Sequence, residues 1–286
     1  MAEIKYQTKV KRRKIFGRVS LYLISLVMIL ITAFPYLWTF LSSLKPKPEL
    51  FARPPTFLPQ NPTLGHYFDL FSISHFPIFL KNTVIVCLGA VVLSMVLSVM
   101  AGYSAARFRY RGRKVLAYAV LFSYMLPQLL TAIPMFLIFN KLNLVNTYLG
   151  LIIAITTRTC PFTMWLLWGF FKGIPYELEE CACIDGASRF RAFFSIILPL
   201  ALPGIVAASI FAFALAWNNY TYPLILTTSE SMKLVTVGLA RFASSRATQW
   251  GMVHAGTIIA TLPGLFFFWL VQKKLIQGWG AGGVKG

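Results

Sequence analysis

Glu180-Cys181-Ala182, three further residues, Gly186, nine more, and then Ile196-Ile197-Leu198-Pro199 form the core of a polar insert, residues 172–199, set between two long apolar segments. A polar insert between membrane-length segments has to sit in water. Its residues read as a helix, a sharp turn and a second helix. Pro175 suits a first helical position, where a missing N–H is not needed. Glu177, Glu179 and Glu180 follow within the first turns, where carboxylates meet the positive end of the helix dipole. Gly186, after Asp185, is where the backbone leaves the helix. Ser188 can cap the second helix. Phe190, Phe193, Phe194 and Ile197 fall at i, i+3, i+4 and i+7, one apolar stripe, and Pro199 is expected to end the helix.

A plain connector lying on the membrane would show the same helix signals; the spacing separates the two readings. It resembles the EAA loop of permease subunits of ABC importers, whose pattern is Glu-Ala-Ala, three residues, Gly, nine residues, Ile, one residue, Leu-Pro. Cys181 replaces the first Ala, a small-for-small change, and the other positions match. The resemblance implies that Glu179, Glu180, Cys181, Ala182, Asp185, Gly186, Ala187, Leu198 and Pro199 couple this chain to a separate ATPase.

The chain of 286 residues is 57% hydrophobic and only 12% charged. Soluble domains are nearer a quarter charged, so the class is a polytopic, all-α membrane protein. The net charge of +19 does not imply a nucleic-acid partner, because the basic residues lie in loops between apolar spans. Spans are expected at about 19–41, 82–103, 115–139, 148–171, 200–220 and 252–271. The parts are then a basic tail 1–18, the first span and a Pro-rich external loop 19–77, a stretch 78–273 that holds the other five spans and that the resemblance implies is a type I permease core, and a tail 274–286. Residues 44–78 read as an extended, ordered external loop in which His66 and His75 are surface residues.

With six spans, both ends share one side. That side carries 18 of the 27 Lys and Arg and the other side 8, with Arg158 in the membrane. Basic residues favour the cytoplasm, so both termini and the insert are expected inside. Five of them, Arg107, Arg109, Arg111, Arg113 and Lys114, crowd the loop 104–114, which reads as a solvated basic turn or a contact to lipid phosphates. Ser94, Ser98 and Gly102, and again Ala208, Ala212 and Ala216, recur every fourth residue, the stripe that lets helices approach closely in lipid. Pro127 and Pro134 are expected to kink the third span. The cysteines (87, 160, 181 and 183) are read as reduced and structural, because no His flanks the last pair to complete a metal site.

Resemblance extends over nearly the whole chain, towards carbohydrate importers of the maltose-permease kind. It is carried by Tyr103-Ser104-Ala105-Ala106-Arg107-Phe108 with Gly112, by Pro161-Phe162 through Trp165 and Phe170-Phe171, by Ile174-Pro175 and Glu177-Leu178-Glu179-Glu180, by Trp217-Asn218 and Pro223-Leu224, and by the tail from Gly278 to Lys285-Gly286. It implies a second homologous permease, an ATPase dimer that binds ATP and Mg, an external solute-binding protein, an oligosaccharide substrate, and a bacterial or archaeal inner membrane. No Gly-x-x-x-x-Gly-Lys-[Ser/Thr] loop is present to cradle ATP phosphates, so the chain is not expected to be an enzyme and needs no cofactor of its own.

A secondary transporter would need intramembrane carboxylates, yet all eight acids lie outside these spans. An intramembrane protease would need motifs that are absent. A purely structural assembly protein is opposed by the docking loop. The substrate path is expected at Arg158, Trp217, Asn218, Asn219 and Tyr220. A charge in mid-span costs roughly 2.5–3.5 kcal/mol, so Arg158 should face a partner or a watery cavity. Two assignments stay open for it: a carboxylate of an acidic, uronate-type oligosaccharide, or a structural bond to helix carbonyls or to the hydroxyls of Thr156, Thr157 or Thr159, with a neutral maltodextrin as cargo. The first draws on two departures from the family, a charge at Arg158 and an amide at Asn219 where an acid is usual.

Overall fold

The computed structural model describes the backbone of residues 2–244 and 249–282, and the side chains of residues 17–244, 249–270 and 272. The basic side chains before Gly17, those of Lys273 and Lys274, Arg246, and the chain end with Lys285 and Gly286 lie outside the described residues. Among those described, all regular structure is helical.

Four helices are long and apolar enough to cross a bilayer unbroken: α1 (Ala2–Ser43, apolar from Gly17), α4 (Phe76–Arg107), α7 (Tyr148–Gly173) and α14 (Trp250–Gly282, apolar to Leu270). Two more crossings are made by bent pairs, giving six spans when each pair counts as one. α5 (Arg113–Met125) and α6 (Gln128–Lys141) meet at 100°, so the third span is two helices rather than one kinked helix. The break lies at Leu126, whose ψ of 131° is extended. A residue before proline is pushed to that region by the pyrrolidine ring of Pro127. Pro134 and Pro161 sit inside α6 and α7 without ending them.

The centre of the molecule is the α4–α7 contact. Lipid supplies no hydrophobic drive between helices, so close approach and hydrogen bonds must hold them. Ser94 bonds the Thr159 hydroxyl, and Ser98 bonds the Thr163 hydroxyl at 2.6 Å and donates to the Cys160 carbonyl at 3.1 Å. One turn on, Gly102 lies against the α7 backbone: a Cβ there would sit 3.1 Å from the Trp168 nitrogen and 3.2 Å from the Met164 carbonyl oxygen. α11 (Leu202–Trp217) closes the group by burying Ala208, Ala212 and Ala216 against α4 and α7. Cys87 points its thiol at the Phe213 carbonyl there, whereas Cys181 and Cys183 are exposed and have no structural part.

The Pro-rich segment after α1 is folded rather than extended. It contains α2 (Lys47–Leu50) and α3 (Gly65–Ser72). His66 is buried, not on the surface, with its Nε2 2.8 Å from the Lys45 carbonyl oxygen. Lys45 is itself buried, over the Trp38 ring and bonded to the Thr56 carbonyl. The later segment on this side forms α12 (Thr221–Leu226) and α13 (Val235–Ser244). It is tied to α4 through Asn82, which donates to the Ser231 and Lys233 carbonyls and accepts from the Tyr148 hydroxyl.

Gly102→Ala is expected to destabilise the fold by about 1–3 kcal/mol, because the atoms it meets are backbone and cannot yield. Gly169→Ala on the same contact pair, where a Cβ meets nothing within 4 Å, should be neutral or stabilising. Unfolding midpoints of the detergent-solubilised proteins check both.

Candidate functional site: the docking turn and the broken span

The insert between the fourth and fifth spans is built from local rules. α8 (Glu177–Ile184) begins after Tyr176, two residues later than the Pro175 signal indicated. It ends in a Schellman turn: Gly186 N–H donates to the Cys183 carbonyl at 3.1 Å and Ala187 N–H to the Ala182 carbonyl at 2.9 Å. That geometry needs a left-handed residue, and Gly186 has φ +90°. α9 (Arg189–Ala192) is capped by Ser188, whose hydroxyl accepts from the Arg191 N–H.

After α9 the helix widens into a π turn, Phe193–Ile197, before α10 (Leu198–Leu200). The wide turn breaks up the expected apolar stripe. Phe190 (75% exposed) and Phe194 face outwards, while Ile197 is buried and Phe193 packs on Tyr103 at 4.5 Å between ring centres. Pro199 does not end this helix. It lies within α10, and the chain bends by 72° at Ala201, just before α11.

The exposed face of the turn carries Glu180, Cys181, Cys183, Ile184, Asp185 and Gly186. Ile184 is 83% exposed, a large apolar side chain at the tip that the motif does not name. Its signal was helical phase, since it stands on the opposite face from the buried Ala182. Ala187 and Leu198 are half-buried and Pro199 is exposed.

Glu179 lies on the inner face of α8. It is buried, accepts a 2.5 Å hydrogen bond from the Tyr103 hydroxyl, and its Oε2 faces the Arg107 Nε at 3.2 Å. Those two atoms form an ion pair out of line for a hydrogen bond, with no other partner among the described residues. Arg107 also donates to the Ile174 carbonyl at 3.0 Å and lies over the Tyr176 ring. Arg107 is therefore an internal residue, unlike the solvated turn expected of 104–114, because Glu179 and the Ile174 carbonyl replace its water.

The second feature is the broken third span. The last carbonyls of a helix lack intrahelical partners, and Arg158 of α7 donates to one of them, the Tyr124 oxygen, with its guanidinium 4.1 Å above the Tyr124 ring. A cation at that end also meets the negative end of the α5 dipole. None of the three threonines holds it: Thr156 bonds the Ala90 carbonyl, Thr157 that of Ala154, and Thr159 bonds Ser94. Arg158 is half-buried and makes no ion pair among the described residues.

On the other flank of the break, Gln128 donates to the Asn219 side-chain oxygen at 3.2 Å, which also accepts from the Tyr222 N–H. Asn219 is buried, so it braces the break instead of facing open space. Trp217 is buried too, donating to the Ala260 carbonyl at 3.0 Å and stacking on Phe213. Of the expected path residues only Arg158, Asn218 and Tyr220 keep accessible surface. Gln128 was not anticipated, and nothing but its position after Pro127 could have pointed to it.

A glycine turn between two short helices and a broken apolar helix pair are thus the two distinctive features of this membrane protein. The chain belongs to the family described as binding-protein-dependent transport system inner membrane component, whose profile matches residues 94–273; it is a permease of the ABC type. It is 32% identical to the inner membrane ABC transporter permease protein YcjP of Escherichia coli K12 over 276 residues, 96% of this chain and 99% of that one. It is also 32% identical to the trehalose/maltose transport system permease protein MalG of Thermococcus litoralis over 283 residues, 96% and 99% of the two chains. Among solved structures, its fold matches a bacterial ABC transporter involved in import of the acidic polysaccharide alginate, with TM-score 0.76, 22% identity, and 91% and 96% of the two chains covered.

Proposed function

We propose that this chain is the permease subunit through which an oligosaccharide enters the cytoplasm, driven by a separate ATP-binding cassette dimer that binds ATP and Mg. The turn around Gly186 docks that ATPase, a second homologous permease completes the path, and an external solute-binding protein delivers the sugar. Support comes from the docking turn itself: a rigid, glycine-dependent corner whose outer face is Glu180, Cys181, Ile184 and Asp185. Names of relatives such as the trehalose/maltose permease support a sugar as cargo.

The basic asymmetry of the loops favours both termini and the turn in the cytoplasm, within a bacterial or archaeal inner membrane. Single cysteines at positions 60 and 240, in a background without native thiols, should then react with an impermeant reagent from outside, and one at 110 should not. The opposite labelling pattern would reverse the topology.

Gly186→Val should reach the membrane at normal level. A β-branched residue at φ +90° is strained by about 1–2 kcal/mol, and a Cβ there meets nothing within 4 Å, so the fold tolerates it while the docking face changes. Transport and substrate-stimulated ATP hydrolysis should both be lost; normal stimulation would remove this turn as the coupling element.

For the cargo, an acidic, uronate-type oligosaccharide is favoured by Arg158. It is a cation within a span, bonded to one carbonyl and one ring, with no carboxylate partner among the described residues. Arginine's planar fork suits bidentate capture of a carboxylate. The reading opposed to it is a neutral maltodextrin with Arg158 only closing the α5 end, which its bond to Tyr124 favours. Arg158→Gln keeps a donor for that carbonyl and removes the charge. It should lower uptake of charged oligosaccharides by about tenfold or more, as loss of a charge-assisted pair implies, and spare neutral ones at equal membrane level. Equal effects on both would sink the anion assignment.

A further inference from the structure

Tyr103 and Arg107 are the last inward-facing polar residues of α4, and both reach across to the short helix α8. α8 has only two turns and is joined to α7 by the non-helical residues Ile174, Pro175 and Tyr176. Its inward face consists of two buried residues, Glu179 and Ala182. Glu179 is thus its sole buried polar handle, and α4 holds that handle twice, by the Tyr103 hydroxyl and by the Arg107 guanidinium. Arg107 grips the linker as well, through the Ile174 carbonyl and the face of Tyr176. One turn before Tyr103 on the same helix, the Ser98 and Gly102 region is locked onto α7.

We propose that Tyr103, Arg107 and Glu179 form a latch that makes α8 move as one body with α4. They are positioning residues for transport: a push on the docking turn passes through Glu179 into α4 instead of being spent as a swing of α8 about the Ile174–Tyr176 linker. The geometry fits this role better than general stabilisation does. The Tyr103 hydroxyl and the Arg107 guanidinium converge on one carboxylate of one short helix, and the linker beside it is clamped by the same arginine.

The latch rests on the coupling reading above, and the test separates the two. Complete transporters carrying Tyr103→Phe, Arg107→Gln or the pair Arg107→Gln/Glu179→Gln are reconstituted in vesicles with ATPase and binding protein. ATP hydrolysis and uptake of labelled maltotriose and alginate trisaccharide are measured together. Tyr103→Phe keeps the ring packed on Phe193 and removes only the hydroxyl. It should leave the ATPase bound and hydrolysing while sugar moved per ATP falls at least about fivefold, the lower end of coupling between sites. Where Arg107→Gln alone lowers the membrane level by stranding Glu179, the uncharged pair should recover the level and still show the low ratio. An unchanged ratio in Tyr103→Phe and in the pair, or equal falls in hydrolysis and uptake, would overturn the latch and leave a structural contact. Failure of the ATPase to associate with the unsubstituted protein would instead overturn the coupling reading, and the latch with it.

Discussion

The fold depends on α4 lying against α7 closely enough for side-chain hydroxyls to bond across the gap. In lipid, the surrounding tails are as apolar as the helices, so what holds the pair is shape and a few hydrogen bonds. The ladder of Ser94, Ser98 and Gly102 supplies both: two hydroxyl pairs and then direct backbone contact. Such bonds contribute less than 1 kcal/mol each on average in membranes, yet they fix the register of the two helices that lead to the docking turn. The α11 alanines, the Asn82 bonds to the far segment and the α5 contact all take their place relative to this pair.

Two charges then bear on the frame in opposite ways. At the docking end, the ion pair between Arg107 and Glu179 is buried, and removing one partner of such a pair typically costs about 3–5 kcal/mol because the other charge is left uncompensated. At depth, Arg158 has no opposite charge among the described residues and is held only by a carbonyl and an aromatic face. The first is satisfied within the protein and serves position. The second meets the end of α5 through one carbonyl and one ring, and serves the break between α5 and α6.

Local rules were readable in the sequence where local chemistry decides the outcome. Gly186 turns the chain and Ser188 caps α9 because a left-handed residue and a hydroxyl cap act within a few residues of themselves. The prolines were ambiguous for the opposite reason. Pro127, Pro134, Pro161 and Pro199 carry the same ring, but only the first stands at a break. That break is stabilised by Arg158 and Asn219, both distant in sequence. Arg107 and His66 were likewise assigned the wrong surroundings, since each is buried by a partner that no periodicity reveals.

The π turn at Phe193–Ile197 changes what the docking arm can present on its two sides. A regular helix advances each side chain by about 100°, so an aromatic run in constant register would crowd one face. Widening a single turn takes up an extra residue without lengthening the helix and resets the phase of all that follows. Phe190 already faces outwards before the wide turn, Phe194 is exposed within it, Phe193 is committed to Tyr103, and Ile197 is sent into the interior. The segment has become two-sided, with an exposed aromatic surface on one flank and an anchor in its own core on the other.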